Sequence, residues 1–299
     1  MTRELTTLLE GGTFFEGPRW RDGYWWVSDF YRHGVFAVSP DGGEQKVMDV
    51  PGQPSGLGWM PDGSMLVVSM RDRKLLRRSE AGEIVEHADL SGHVEHLLND
   101  MVVDHKGNAW LGHFGFDLMN GADPDTATLL HVAPNGSASV AAEGLYFPNG
   151  TLITPDGRTL IVAESFGCRL TAFTINDDNS LGQARVWAQF APTPELTTLE
   201  DMIPRLPVAP DGCSLDAEGC IWVADAFGSR CLRVAEGGAV LDEIAMPEGM
   251  GAFACMLGGE DGRTLLICSA PDFHEHERAA AREAVLFTCI VDTPHAGLP

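Results

Sequence analysis

The stretch YFPNGTLITPDGRTLIVAES, residues 146–165, reads as turn, strand, turn, strand, and it opens its first strand on a polar side chain, Asn149. Pro155-Asp156-Gly157 supplies a tight turn, and β-branched and apolar runs on either side supply the strands. The same pattern returns in LLNDMVVDHKGNAWLG (97–112) and APDGCSLDAEGCIWVA (209–224), again with a polar residue where the first strand begins.

Working outward, an Asp-Gly turn or its equivalent followed by a short apolar run occurs six times: DGYWWVSD, DGSMLVVS, KGNAWLGH, DGRTLIVAES, EGCIWVAD and DGRTLLICS. The turn glycines, Gly23, Gly63, Gly107, Gly157, Gly219 and Gly262, are separated by 40, 44, 50, 62 and 43 residues. A second hairpin usually follows each run, as in LLHVAPNG (129–136), so each repeat makes about one four-stranded antiparallel sheet. Six such sheets predict an all-β fold, a six-bladed β-propeller whose strand edges are protected by radial closure. The terminal strands ELTTLLEGG (4–12) and AVLFTCIVD (284–292) are expected to share one blade, making residues 1–299 a single domain. The few helix-like stretches, such as FHEHERAAAREA (273–284), are too isolated to suggest an α/β sheet.

Composition narrows the function. A net charge of −23 repels nucleic acid and anionic lipid surfaces, so neither is expected as a partner. No apolar run is long enough to span a bilayer, and MTRELTTLLEGG carries a charge where a signal peptide needs an apolar core, so the expected location is the cytoplasm. The seven cysteines include no Cys-x-x-Cys pair and fall mostly in apolar strands, where they read as reduced core thiols. No Gly-x-Ser-x-Gly elbow or dinucleotide fingerprint is present.

The polar strand starts share one register. Asn99, Asn149 and Asp211 each lie eight residues before their turn glycine and Glu16 lies seven before, with Ser55 and Ala254 at the equivalent places in the other repeats. In a propeller the innermost strands line the central channel, so four oxygen-bearing side chains from four blades point to one place. Carboxylates crowded there need a counter-charge. A divalent cation in the channel supplies it; an all-oxygen set suits Ca²⁺, with Mg²⁺, Mn²⁺ or Zn²⁺ as alternatives.

FFEGPRW (14–20), together with the three stretches above, resembles the motifs of the family that includes gluconolactonase, senescence marker protein and luciferin-regenerating enzyme. The resemblance runs over essentially the whole chain and implies a six-bladed propeller that hydrolyses lactones with one divalent metal. It places Glu16, Asn149 and Asp211 as metal ligands and Asn99 beside the metal, contacting substrate or water, followed by Asp100. Asp211 is then the candidate general base, with metal-bound hydroxide as the alternative. A substrate-binding arginine is common in the family two residues before Asn99, where this chain has Leu97. That departure, with Phe114, Phe116, Phe147 and Phe166 near the rim, points to a small-molecule lactone less polar than gluconolactone. His113 and Phe116 are candidate pocket residues, with packing as their alternative role. The proline-rich insertion APTPELTTLEDMIPRLPVAPDG (191–212) is expected to carry a short helical turn over the channel mouth. A phosphotriester or fluorophosphate hydrolase, or a non-catalytic platform with a structural metal, are the alternative functions.

Overall fold

A computed structural model describes residues 3–297; residues 1–2 and 298–299 lie outside the described residues. Its strands form six four-stranded antiparallel sheets, arranged as the blades of a six-bladed β-propeller. Blades 1 to 5 are each built from four consecutive strands, over residues 15–49, 54–89, 98–145, 148–189 and 210–245. Blade 6 takes three strands from the C-terminal end and its outermost one from the N-terminal end. There Thr6–Gly12 pairs antiparallel with Ala284–Ile290, the expected closure of the ring.

Burial follows strand position within each blade. Inner strands such as Leu98–Val103 and Gly251–Gly258 are buried along their whole length, because a neighbouring blade covers each face. Outer strands such as Glu44–Asp49 bury only one or two residues. Trp110 and Trp222, from the second strands of blades 3 and 5, are enclosed in the packing between blades. All seven cysteines are free and buried, in keeping with their reading as core thiols. Among the described residues no helix is long and apolar enough to cross a membrane.

Three insertions interrupt the repeat on the site side; one, between Ala109–His113 and Ala127–Val132, carries a 3₁₀ turn over Leu118–Asn120, and the other two carry α-helices. The first of these two carries helix α1 (Leu199–Met202), capped by the Thr198 side chain accepting from Asp201 N–H, and then a 3₁₀ turn over Ile203–Arg205. Its Met202 and Leu206 pack into the main core. The second carries helix α2 (Glu275–Ala281), between the second and third strands of blade 6.

Candidate metal centre and active-site cavity

All six inner strands break their pairing at the same level. The register shifts next to Glu16, Ser55, Asn99, Asn149, Asp211 and Phe253, in five blades at the position the turn spacing gave and in blade 6 one residue before it. A bulge turns one residue out of the ladder and aims its side chain inward. In blade 6 the bulged residue is Phe253, so Phe253 and not Ala254 is the counterpart of Asp211. The residue after the bulge is pressed against the next blade. A Cβ on Gly150 would stand 2.4 Å from the Asp211 carbonyl oxygen, and one on Gly212 would stand 2.5 Å from the Ala254 Cβ. Glycine is therefore required at both places by close approach of neighbouring inner strands.

The polar side chains are oriented by the bonds they already make. Asn99 Nδ2–H donates to the Pro148 carbonyl (3.2 Å), and Asn149 Nδ2–H donates to Ser165 Oγ (3.3 Å), whose hydroxyl donates to the Pro210 carbonyl (2.8 Å). With both amide nitrogens committed, the two Oδ1 atoms accept no hydrogen bond from the described residues. Glu16 accepts from Gly17 N–H at one oxygen (2.9 Å), and the buried Asp211 Oδ1 has no partner among the described residues. Glu16, Asn99, Asn149 and Asp211 all line one cavity.

Electrostatics explain what such a cavity lacks. Burial holds the Glu16 carboxyl well above the usual carboxylate range, and the nearby charges of Asp211 and Asp100 raise it further. Asp211 is raised well above its ordinary value by burial and then by Asp100. The compensating cation is Arg19, whose Nη2 reaches Asp100 Oδ1 at 3.4 Å and donates to the Met101 carbonyl. Three buried carboxyl groups against one guanidinium leave two without a counter-charge, and one divalent cation would balance both in their ionised forms. Among the described residues no three His, Cys, Asp or Glu side chains form a metal-binding group, so amide oxygens are needed to complete a ligand set here. The residues present fit that requirement: carboxylate and amide oxygens only, which is hard-cation chemistry.

Two residues before each bulged position, on the same face of the strand, lies a second ring of Phe14, Gln53, Leu97, Phe147 and Ala209, with Gly251 at the blade 6 place. Every side chain of that ring lines the cavity, and Ile203 from the insertion, Phe227 and Phe273 join the same wall. The cavity encloses about 750 Å³ including its open mouth, and among the described residues no Lys, Arg or His side chain lines it.

Three expected substrate contacts do not reach this wall. Asp100 lies behind the ligand ring, paired with Arg19. His113 pairs with Leu98 at the end of its strand, the place that Asp29, Glu164 and Asp225 take in blades 1, 4 and 5. Those carboxylates accept backbone N–H groups of the segments entering the inner strands, including Thr13, Tyr146 and Ala209. His113 makes a different clip, to residues that follow its own strand: Gly115 N–H donates to Nδ1 (3.1 Å), and Nε2 faces Thr128 Oγ1 (3.0 Å). Burial lowers its pKa to about 4, so it is a neutral structural residue near pH 7. Phe116 stacks behind the wall on Phe147 and Phe166, with ring centroids 6.0 and 5.8 Å apart. Arg19, Ser165 and Gln53 went unnoticed in the sequence. Only the ring two residues before the register position could have shown Gln53.

Residues 14–271 match the family model described as SMP-30/Gluconolactonase/LRE-like region. A Pseudomonas putida protein named 6-deoxy-6-sulfogluconolactonase is 26% identical, over 86% of this chain and 82% of its own length. A Staphylococcus epidermidis protein named Lactonase drp35 is 25% identical, over 86% of this chain and 74% of its own. A crystal structure of a calcium-binding protein, regucalcin, from Agrobacterium tumefaciens superposes with a TM-score of 0.80 at 21% identity, over 100% of this chain and 97% of the other.

Proposed function

The chain belongs to the SMP-30/gluconolactonase/LRE-like family, and from that premise we propose that it hydrolyses lactones with one divalent cation held by Glu16, Asn149 and Asp211. Ca²⁺ is the cation best suited to this all-oxygen set. The observation that carries the reading is the convergence of Glu16, Asn99, Asn149 and Asp211, whose Oδ1 has no partner among the described residues, on a cavity where two carboxyl groups lack a counter-charge. When bound, a divalent cation stabilises negative charge developing on a carbonyl oxygen and lowers the pKa of water. The chain's own residues supply the rest. Asn99, fixed by its bond to Pro148, presents Oδ1 to orient the attacking water. Asp211 accepts that water's proton as general base. Phe14, Phe147, Phe166 and Phe253 hold the body of the substrate and exclude bulk water.

The substrate is less polar than a sugar lactone. Leu97 stands where a hydroxyl-binding arginine is common in the family, and the wall offers no cation to a sulfonate of the kind named for the Pseudomonas putida relative. Ile203 and its helical turn serve as a cover for such a substrate. Turnover of alkyl and aryl lactones, sugar δ-lactones and a phosphotriester should be compared before and after chelation. Calcium-dependent hydrolysis fastest on the alkyl or aryl lactones is expected. Preference for a sugar lactone would reject the polarity assignment, and active protein without stoichiometric metal would reject the metal.

A further inference from the structure

The second ring contains one polar side chain, and its setting is unlike that of its neighbours. Gln53 is almost fully buried, lines the cavity, and holds a left-handed backbone with φ of 72°. That conformation is uncommon for a residue other than glycine and persists only where the surroundings impose it. Here Gln53 N–H donates to the Val50 carbonyl (2.9 Å), and the Gln53 carbonyl accepts from Met70 N–H (2.8 Å). The side chain is fixed as well. Arg71 Nε–H donates to Gln53 Oε1 (2.7 Å), and the Arg71 guanidinium also pairs with Glu275 of helix α2. Arginine has donors only, so Oε1 must face it and the amide NH₂ is turned the other way. Among the described residues Gln53 Nε2 has no hydrogen-bond partner, in contrast to the amide nitrogens of Asn99 and Asn149. The nearby Tyr31 hydroxyl is not a free donor to the cavity, since it donates to the Phe273 carbonyl (2.6 Å).

We propose that Gln53 is the specificity-determining hydrogen-bond donor of this cavity, and that the preferred substrate is a lactone whose apolar body carries one neutral acceptor, a ketone, ether or ester oxygen, for Gln53 Nε2. The proposal rests on the lactonase reading of the same cavity. Two residues of strand separate the second ring from the ligand ring, so the acceptor sits roughly 7 Å from the lactone carbonyl. The remaining ring members, Phe14, Leu97, Phe147 and Ala209, are apolar, so the substrate needs no second polar group at that level. Among the described residues no Lys, Arg or His side chain lines the wall to compensate an anionic group at that level, which restricts the acceptor to a neutral oxygen.

The test uses calcium-loaded protein and two δ-lactams that cannot be hydrolysed, one with a plain alkyl chain and one with a ketone at that distance. Calorimetry on the parent should show about tenfold tighter binding of the ketone, as expected for one neutral hydrogen bond in a desolvated site. Gln53→Met should erase that preference while leaving the alkyl lactam's affinity within about threefold. Gln53→Glu keeps an acceptor for Arg71, removes the donor, and guards against misfolding of the first variant; it should lose the preference too. No preference in the parent, or the same preference in both variants, would overturn the proposal. Hydrolysis of the corresponding lactones separates the two claims. Absent turnover with the binding preference intact would sink the lactonase reading and leave Gln53 standing, whereas turnover without the preference would sink only Gln53.

Discussion

Substituting Gly150 by alanine tests whether blade contact and ligand geometry are one construction. The added Cβ would lie 2.4 Å from the Asp211 carbonyl oxygen and 2.8 Å from the Cys213 nitrogen, both backbone atoms of the next inner strand. Ordinary contact needs roughly 3.5 Å, so the strands of blades 4 and 5 must part by roughly 1 Å. Overpacking against backbone costs about 3 kcal/mol, which for a chain of this size lowers Tm by roughly 5 °C. The displacement falls between Asn149 and Asp211, so calcium affinity should drop about tenfold or more, the scale seen when the support of a metal ligand is disturbed. Gly92→Ala is the control, because a Cβ there meets nothing within 4 Å. Thermal scans and calcium titration of both variants read the outcome. A Gly150→Ala protein with the parent's Tm and calcium affinity would refute the claim that close approach of the inner strands sets the ligand spacing.

Three further outcomes are expected. Asn99→Ala should retain calcium in a titration yet lose about 10²-fold in kcat, since its Oδ1 is assigned to water or substrate; loss of calcium binding would place Asn99 among the ligands. Arg19→Met leaves Asp100 buried without its partner and should cost about 3–5 kcal/mol in urea unfolding, most of it recovered in the Arg19→Met/Asp100→Asn double variant; equal stability of single and double variants would count against the pair. His113 has a folded pKa lowered to about 4, so its neutral form stabilises the fold above pH 6.5 and that contribution is lost as pH falls toward 4. The stability gap between parent and His113→Gln should therefore narrow by about 2–3 kcal/mol between pH 7 and pH 4.5, and a constant gap would refute the clip.

What the sequence determined by itself was periodic or local. Turn glycines at near-regular spacing define six sheets because each Asp-Gly hairpin is specified by its own few residues. Register follows for the same reason: counting back from each turn reaches Glu16, Asn99, Asn149 and Asp211, and all four line one cavity. Closure by the two ends was legible as well, since strands 4–12 and 284–292 had no other partners in the repeat. The tertiary structure alone decided whatever depends on contact between blades. The bulge in blade 6 shifts the channel position from Ala254 to Phe253, a one-residue change in phase that no turn spacing records. Arg19 meets Asp100 across 81 residues, His113 clips residues that follow its own strand, and Gln53 is oriented by an arginine that also reaches helix α2. Strand pairing obeys short-range rules of turn and alternation. The chemistry at the axis depends on which side chains six separate strands bring within a few ångströms, and only the closed ring sets those distances.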